Sequence, residues 1–451
     1  MLKTYQLLFI CALGAIASGC NKYLDEKPDA KLQVPSSVAD AQALLDNYSV
    51  INNNDPSGGE VSSDDYYLTD ATFMALSQEN YRRLYTWQKD FVYANDNNND
   101  WFYPYRNVFS CNTVLETMAK AADQTNTDLK NVQGQALFIR AKAFFQLAVL
   151  FAPAYDESTA TRDAGIVLRL NSDFNAPSVR SSNKETFDKI ISDLKQAAAL
   201  LPVKPLAVYR ASRPAAYGML ASTYLYLHQF AKARAYADSC LQLTPELLDF
   251  NTLNTTATYP VIKTNVEVVF ESLMPALQPI SNTRARIDTN LYRSYANDDL
   301  RKTLFFKLNA DKSFAFRGSY EGGSSLFGGI ATDEIYLIRA EASARTGQVN
   351  EALDDLNLLL VKRWVTGKYV PITAPDKDTA LKIILAERRK ELLMRGLRWL
   401  DLKRLNQEGA NIMLTKSIGG KLYTLQPNDL RYAIALPEDL INLSGLQQNP
   451  R

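Results

Sequence analysis

The sequence has very few of the residues on which most catalytic and metal sites depend. Its 451 residues include one histidine, His228, and four cysteines. One histidine leaves one candidate imidazole base, and no Ser-His-Asp or Cys-His pattern accompanies it. Because its neighbours Tyr224, Leu225 and Leu227 predict a packed helix, we interpret His228 as structural. Zinc-protease, P-loop and nucleophile-elbow motifs are also absent. We therefore expect a protein that is not an enzyme and needs no cofactor.

The chain also lacks an excess of charge of either sign. Fifty basic residues balance 49 acidic residues, which gives a formal net charge of +1. Nucleic-acid-binding domains usually carry a basic excess, so we expect no nucleic-acid partner. The hydrophobic fraction of 46% is that of an ordinary globular protein. Beyond the N-terminus, no apolar run is long enough to predict a transmembrane helix.

The N-terminus has the pattern of a bacterial lipoprotein signal. Lys3 precedes an apolar run at 7–16, and the small residues 17–19 precede Cys20. This predicts a signal peptide at 1–19, a lipidated Cys20 and a polar tether at 20–34. Ala17 departs from the usual pattern, in which Leu or Val is more common, and an ordinary secretory signal is the alternative.

Two further cysteines, Cys111 and Cys240, remain after this segment. An exported protein could join them in one disulfide. Two buried thiols explain them equally well, because nothing in the sequence brings their Cα atoms together. The sequence leaves both possibilities open.

Hydrophobic periodicity predicts a mainly helical chain with a few short strands. A first helix spans 36–48, with Ser36 or Ser37 as its N-cap. Ser182 and Glu185 form a predicted capping box. Strand-like patterns occur only at 266–273 and 413–427. The principal helical regions are predicted at 134–151, 183–201, 211–243, 333–363 and 379–405.

A helical repeat is visible in the predicted region at 211–243. Six residues match positions 4, 7, 8, 11, 20 and 32 of a 34-residue tetratricopeptide unit: Tyr217, Leu220, Ala221, Tyr224, Ala233 and Pro245. A second, degenerate copy places Tyr336, Ala340 and Ala352 at positions 4, 8 and 20. The alanines matter because two helices that cross closely leave no room for large side chains. We therefore predict two helical hairpins.

Two regions, about 50–110 and 247–330, are rich in loops, and long loops in a compact domain commonly carry functional residues. Aromatic faces stack on sugar rings, while Asp, Asn and Arg side chains bind hydroxyl groups. For each aromatic residue, simple core packing is the alternative. The candidate ligand-binding residues are Tyr66, Tyr67, Tyr81, Arg82, Tyr85, Trp87 and Tyr320.

The acidic loop at 96–100 is the only approximation to a metal motif. It has alternating oxygen ligands, but Trp101 and Asn107 stand where a calcium hand needs Gly and Glu. A structural calcium site that does not follow this motif could still involve Asp64, Asp65 or Asp96. The simpler alternative is a solvated polar loop.

Charged residues of alternating sign follow one another between 387 and 404. They are Glu387, Arg388, Arg389, Lys390, Glu391, Arg395, Arg398, Asp401 and Arg404. At helical spacing, such residues more often form ion pairs between neighbouring helices than an anion site. We predict ion pairs.

Several separated stretches resemble the SusD/RagB family. They are NKYLDEKP after Cys20, WFYPYRNVFSCNTVLE, RASRPAAYGMLASTYLYLHQFAKARAYADSCL, DEIYLIRAEASARTGQVNEAL, ERRKELLMRGLRWLDLKR and the final PEDLINLSGLQQNP. Met394 departs from the family pattern, as does Ala435-Leu436-Pro437. The resemblance covers nearly all of the predicted mature chain.

The resemblance implies a single SusD-like domain at 35–451. Tetratricopeptide-like helix pairs would form a scaffold on one side, and loop-rich structure on the other would carry the ligand. It further implies a lipid-anchored protein on the outer face of the outer membrane. Such a protein captures oligosaccharides for a SusC-like TonB-dependent transporter without catalysis. The alternatives are a binder of peptide or another nutrient, a glycosidase using two carboxylates, and a pure helical-repeat scaffold.

Overall fold

The computed structural model describes residues 35–93, 96 and 98–451. The predicted signal peptide, the tether and Cys20 lie outside the described residues.

The described chain is mainly α-helical, as predicted. Its α-helices are α1 (Val38–Leu45), α2 (Tyr48–Ile51), α3 (Gly58–Ser62), α4 (Asp70–Met74), α5 (Glu79–Tyr85), α6 (Phe102–Ala119), α7 (Thr127–Phe151), α8 (Asn183–Leu200), α9 (Arg213–Tyr226), α10 (Phe230–Leu241), α11 (Thr289–Arg293), α12 (Leu300–Leu304), α13 (Thr332–Arg345), α14 (Val349–Leu360), α15 (Lys377–Glu391), α16 (Arg398–Gln407) and α17 (Glu438–Ser444). Two predicted N-caps are confirmed. Ser37 accepts from the Asp40 amide, and Ser182 forms a capping box with Glu185.

The strands of the described residues form antiparallel pairs rather than one sheet. They are β1 (Tyr66–Tyr67), β2 (Ala164–Val167), β3 (Arg180–Ser182), β4 (Val268–Phe270), β5 (Leu273–Met274), β6 (Arg286–Ile287), β7 (Phe306–Leu308), β8 (Phe314–Phe316), β9 (Leu326–Phe327), β10 (Ile330–Ala331), β11 (Leu414–Ile418) and β12 (Lys421–Leu425). The pairs are β1–β6, β2–β3, β4–β10, β5–β9, β7–β8 and β11–β12. The predicted strand at 266–273 contains β4 and the start of β5, and the predicted hairpin at 413–427 is β11–β12.

Helix α7 is the centre of the core. Contrary to the expectation from the sequence, it is long and apolar enough to cross a membrane, as the one such helix among the described residues, yet 94% of its most apolar window is buried inside the protein. Its Gly134 faces the end of α8, where an added Cβ would lie 2.9 Å from Leu201. The length of α7 therefore reflects its position inside the helical layer.

The two predicted helical hairpins are α9–α10 and α13–α14. Ala221 and Ala233, like Ala340 and Ala352, are fully buried, as close helix crossing requires.

The prediction that His228 lies on a helix is wrong. It lies in the turn after α9 with φ of 59°, and its Nδ1 is 3.0 Å from Glu408 Oε1. His228 lies seven residues after Ala221 in the first hairpin. Gly347, with φ of 88°, lies seven residues after the equivalent Ala340 in the second hairpin. Both turns thus need a left-handed residue, and glycine adopts that conformation more readily than histidine.

Ion pairs connect the C-terminal helices to the rest of the fold, as predicted. Glu391 accepts from Arg301 at 2.9 Å and from Arg363 at 2.6 Å, and Arg363 also binds Glu267 at 2.7 Å. Arg404 pairs with Asp401 at 2.8 Å and with Glu341. Most of these side chains are buried, so the network acts as a polar core.

Cys111 and Cys240 are both free and buried. Burial raises the pKa of each thiol to about 12. The sequence had left open a disulfide or two buried thiols, and the structure has two buried thiols.

Candidate functional site

Three of the predicted ligand residues surround a buried lysine. The Nζ of Lys416, on β11, lies 3.7 Å from the ring centre of Tyr85, 4.9 Å from that of Trp87 and 5.2 Å from that of Tyr66. The three rings are at most 4% exposed. They contact the lysine through cation–π interactions and hold the C-terminal hairpin against the N-terminal region. No face of these rings is open to a ligand.

Tyr320 is also a core residue. It is 2% exposed, and its hydroxyl donates to Glu267 at 2.6 Å and lies 3.1 Å from Asp333 Oδ2. Its ring packs near Phe327 and beneath the guanidinium of Arg395. Tyr320 therefore belongs to the buried ion-pair network.

The other three predicted ligand residues are more accessible. Tyr67 is 39% exposed on β1, whereas Tyr81 and Arg82 are half-buried on α5. Arg82 is engaged locally, with its Nε donating to Glu79 at 2.8 Å. A role for these three residues in ligand binding stays a prediction.

The acidic residues considered for calcium have other partners. Asp64 accepts from Arg398 at 2.6 Å and from Arg389 at 3.0 Å, and Asp65 also accepts from Arg389. Asp96 accepts from the Asn80 amide at 2.7 Å. Among the described residues, no group of three or more His, Cys, Asp or Glu side chains could hold a metal ion. Two guanidinium groups beside Asp64 oppose a cation there.

A cleft of about 710 Å³ opens at the surface, and this volume is that of a small-molecule site. It lies where α7 ends, beside the connector to β2, the start of β3, one face of α16 and the C-terminal tail. Its walls come from the segments 153–164, 178–180, 403–407, 428–433 and 445–450. We refer to this opening as the cleft.

Buried and partly buried hydrogen bonds fix the walls of the cleft. Arg180 donates through Nε to the Gly165 carbonyl at 2.8 Å and through Nη1 to Asn449 Oδ1 at 2.6 Å. Asn449 in turn donates to the carbonyls of Phe151 and Ile434, both at 2.8 Å. The C-terminal tail is thus attached to the end of α7, and the cleft is preformed.

Lys403 of α16 lines the cleft from beneath. Its Nζ donates to the carbonyls of Val149 and Ala152, both at 2.6 Å, at the C-terminus of α7. Burial lowers the pKa of Lys403 to about 7. A cation at this end of a helix satisfies carbonyls that have no partner within the helix. These bonds occupy the amine, so its role is structural.

Other polar side chains in the cleft have free hydrogen-bonding capacity. Arg162 and Gln447 line it, both are exposed, and neither side chain has a hydrogen-bond partner among the described residues. They can bind hydroxyl or carbonyl oxygens of a ligand.

A second opening of about 220 Å³ adjoins the cleft at Ser178, which lines both. In this opening, which we call the groove, Phe109 and Phe174 stack with ring centres 4.5 Å apart at 28°. Trp101 and Tyr105 form another aromatic pair at 4.8 Å. Sequence reasoning missed both openings, although the terminal QNP motif includes a cleft residue, Asn449.

These features define the class of the protein as a helical-repeat protein with preformed, ligand-sized openings at its surface. Comparisons with known proteins identify its family. Residues 22–225 match a family model described as "Starch-binding associating with outer membrane", and residues 332–435 match one described as "SusD family". Together the two models cover about two thirds of the chain. The chain belongs to the SusD/RagB family.

One curated relative is the SusD-like protein P38 of Formosa agariphila, which is 38% identical over 79 residues. That match spans 16% of this chain and 16% of the relative.

Solved structures share the fold over nearly the whole chain. A SusD superfamily protein of Bacteroides thetaiotaomicron has a TM-score of 0.73 at 20% identity, covering 92% of this chain and 100% of the other. A SusD-like carbohydrate binding protein of Bacteroides vulgatus has a TM-score of 0.71 at 20% identity, covering 91% and 97%. Surface glycan-binding protein A of Bacteroides uniformis has a TM-score of 0.68 at 17% identity, covering 92% and 99%. At these identities, the likeness shows the fold alone.

Proposed function

We propose that this protein captures glycans at the cell surface and passes them to a SusC-like TonB-dependent transporter. Its membership of the SusD/RagB family carries the proposal. Two of the structural neighbours bear names that refer to carbohydrate or glycan binding, which supports it further. In this proposal, Cys20 carries the lipid that anchors the protein to the outer membrane, and the ligand is an oligosaccharide.

The cleft is the place where we propose that the oligosaccharide binds. Its volume suits such a ligand, its walls are preformed, and Arg162 and Gln447 offer free donors. A preformed site loses little conformational entropy when the ligand binds. Many lining residues are polar, but carbon atoms form most of the accessible surface of the cleft, as expected where the carbon-bound faces of a sugar make contact.

The carboxylates of the cleft support binding without hydrolysis. A glycosidase needs one carboxylic acid with a raised pKa and a second carboxylate at a fixed separation. Hydrogen bonds from Ser158 lower the pKa of Asp156, and a hydrogen bond from Arg431 lowers the pKa of Asp429, which opposes a role as general acid for either residue. Asp163 accepts from the Thr159 hydroxyl at 2.5 Å. We therefore propose no catalytic step.

Isothermal titration calorimetry with a glycan panel tests the proposed function. The full-length protein in mild detergent is titrated with malto-, cello-, xylo- and laminari-oligosaccharides, and the mixtures are then analysed for hydrolysis. We expect one series to bind and to be recovered intact. Hydrolysis would favour the glycosidase alternative. Wild-type protein that binds none of the series would contradict this assignment, and a peptide panel would follow.

A cleft variant then tests the location of the site. Arg162→Ala is expected to weaken binding about two- to tenfold, the value of one hydrogen bond of about 0.5–1.5 kcal/mol. Lys204→Ala, an exposed cation that does not line the cleft, is the matched control and is expected to bind as the wild type does. Equal affinities for wild type and Arg162→Ala would indicate that the ligand does not contact this wall.

A further inference from the structure

Phe109 and Phe174 are unusual because they are large aromatic residues left open to solvent. Phe109 is 36% exposed and Phe174 is 78% exposed, and their rings stack on each other. In this stack, one face of Phe174 covers Phe109, while most of the Phe174 ring stays accessible. Clustered exposed apolar groups at the edge of a ligand-sized opening are typical of binding sites.

The groove around these rings is a built structure. Asn112 of α6 donates from Nδ2 to the carbonyls of Arg169 at 3.0 Å and Asn171 at 2.9 Å. Glu116, one turn further along α6, accepts from the Ser172 amide at 2.7 Å and from its hydroxyl at 2.5 Å. The segment that leads to Phe174 is therefore attached to α6.

The other side of the same loop is also braced. Arg169 donates through Nη1 to the Ala176 carbonyl at 2.5 Å and through Nη2 to Ser178 Oγ at 2.7 Å. Phe174 thus lies within a loop whose two arms are joined by one guanidinium. A ring held in this way loses little freedom when a ligand stacks on it.

The groove continues into the cleft. Ser178 lines both openings, and the chain enters β3 directly beyond it. Helix α17 forms a second shared wall, since its Leu440 lines the groove and Gly445, which follows the helix, lines the cleft. One elongated ligand can therefore contact both openings.

We propose that the groove is an aromatic subsite that extends the cleft, with Phe174 as the platform for a sugar ring. This inference rests on the proposed function. It defines the ligand class as an oligosaccharide chain long enough to occupy both openings. A disaccharide would fill the cleft alone and leave Phe174 uncovered.

Calorimetry with chains of two lengths tests the subsite. The full-length protein is titrated with the two-unit and six-unit members of the malto-, cello-, xylo- or laminari-series that the wild type binds best. We expect Phe174→Ala to lose about two- to tenfold in affinity for the six-unit chain, as for one aromatic contact. Its affinity for the two-unit chain should not change. Phe174→Trp, which keeps an aromatic face, should restore most of the loss.

The exposed Leu206, which lines neither opening, provides the control, and Leu206→Ala should match the wild type for both lengths. Because Phe174 is 78% exposed, Phe174→Ala is expected to fold normally, which circular dichroism checks. Equal loss for both chain lengths, or no loss for the longer chain, would overturn the subsite while leaving glycan capture intact. A wild type that binds no series would overturn the proposed function and the subsite together.

Discussion

Glu60 is a buried carboxylate without a cationic hydrogen-bond partner, and its substitution gives the sharpest prediction for stability. It lies on α3 and is 1% exposed. Its oxygens accept from the Gly396 amide at 2.9 Å and from the Ser63 hydroxyl at 3.3 Å. Burial, and secondarily the carboxylate of Asp65, raises the pKa of Glu60 to about 8.

The sign of the effect on stability follows from proton binding. Between the ordinary pKa of 4.5 and the folded value of about 8, the native state keeps a proton that the unfolded chain has lost. The free energy of unfolding therefore falls as pH rises through this range, and the full loss is present above it. At 1.36 kcal/mol per pKa unit, the loss is about 3–5 kcal/mol at pH 9 and about 1 kcal/mol at pH 5.

Glu60→Gln removes this titration while keeping the shape of the side chain. The amide oxygen can accept from Gly396, and the amide nitrogen can donate to Ser63. We expect the variant to gain about 3–5 kcal/mol over the wild type at pH 9, and little at pH 5. Other titratable groups pack near this carboxylate, namely Asp64, Asp65 and Lys416, and they remain in both proteins.

Urea unfolding at pH 5, 7 and 9 measures the difference between wild type and variant. Glu79→Gln is the control, because Glu79 is 56% exposed and its substitution should give no comparable pH-dependent gain. A variant that is destabilised at every pH, or whose gain is the same at pH 5 and pH 9, would refute the reasoning. Destabilisation at every pH would show that the native state favours the Glu60 anion, whereas an equal gain at both pH values would show that folding does not raise its pKa.

Three further substitutions test the packing, the ion pairs and the anchor. Trp399→Ala should lose about 3–5 kcal/mol in urea unfolding because the side chain is 1% exposed, while glycan affinity of the folded protein stays unchanged. Arg363→Met should lose about 3–5 kcal/mol in the same assay, because it leaves Glu267 and Glu391 buried with one partner fewer. Cys20→Ala should move the protein out of the membrane fraction without changing its circular dichroism spectrum, and membrane retention at the wild-type level would contradict the lipid anchor.

The helical scaffold was predictable because its determinants are local. The 3.6-residue period marks the buried faces, and small residues mark the close crossings at Ala221 and Ala340. The alignment of the two hairpins also contained the information needed for His228. Aligned with Gly347, it occupies a turn position that requires positive φ. The apolar neighbours of His228 favour a helix locally, and only the comparison with Gly347 indicates the turn.

Exposure of aromatic residues was not predictable, because it depends on partners distant in the chain. Tyr85 and Trp87 are covered by Lys416, which comes from the C-terminal hairpin. No local pattern in the aromatic-rich stretch indicates that partner. Phe174, in contrast, lies in the connector between β2 and β3, outside the aromatic-rich stretch, and it is among the most exposed aromatic residues of the described chain.

The shape of the cleft also depends on contacts between residues that are distant in the chain. These contacts give the terminal QNP motif a structural role. Arg180 and Asn449 are 269 residues apart, and their hydrogen bond joins the start of β3 to the tail. Asn449 also binds the carbonyl of Phe151, the last residue of α7. Its single amide thus connects three walls of the cleft, so the QNP ending fixes the shape of the opening in which we propose that the glycan binds. The motif thus fixes the walls of the cleft and leaves the side chains of Arg162 and Gln447 free to contact a ligand.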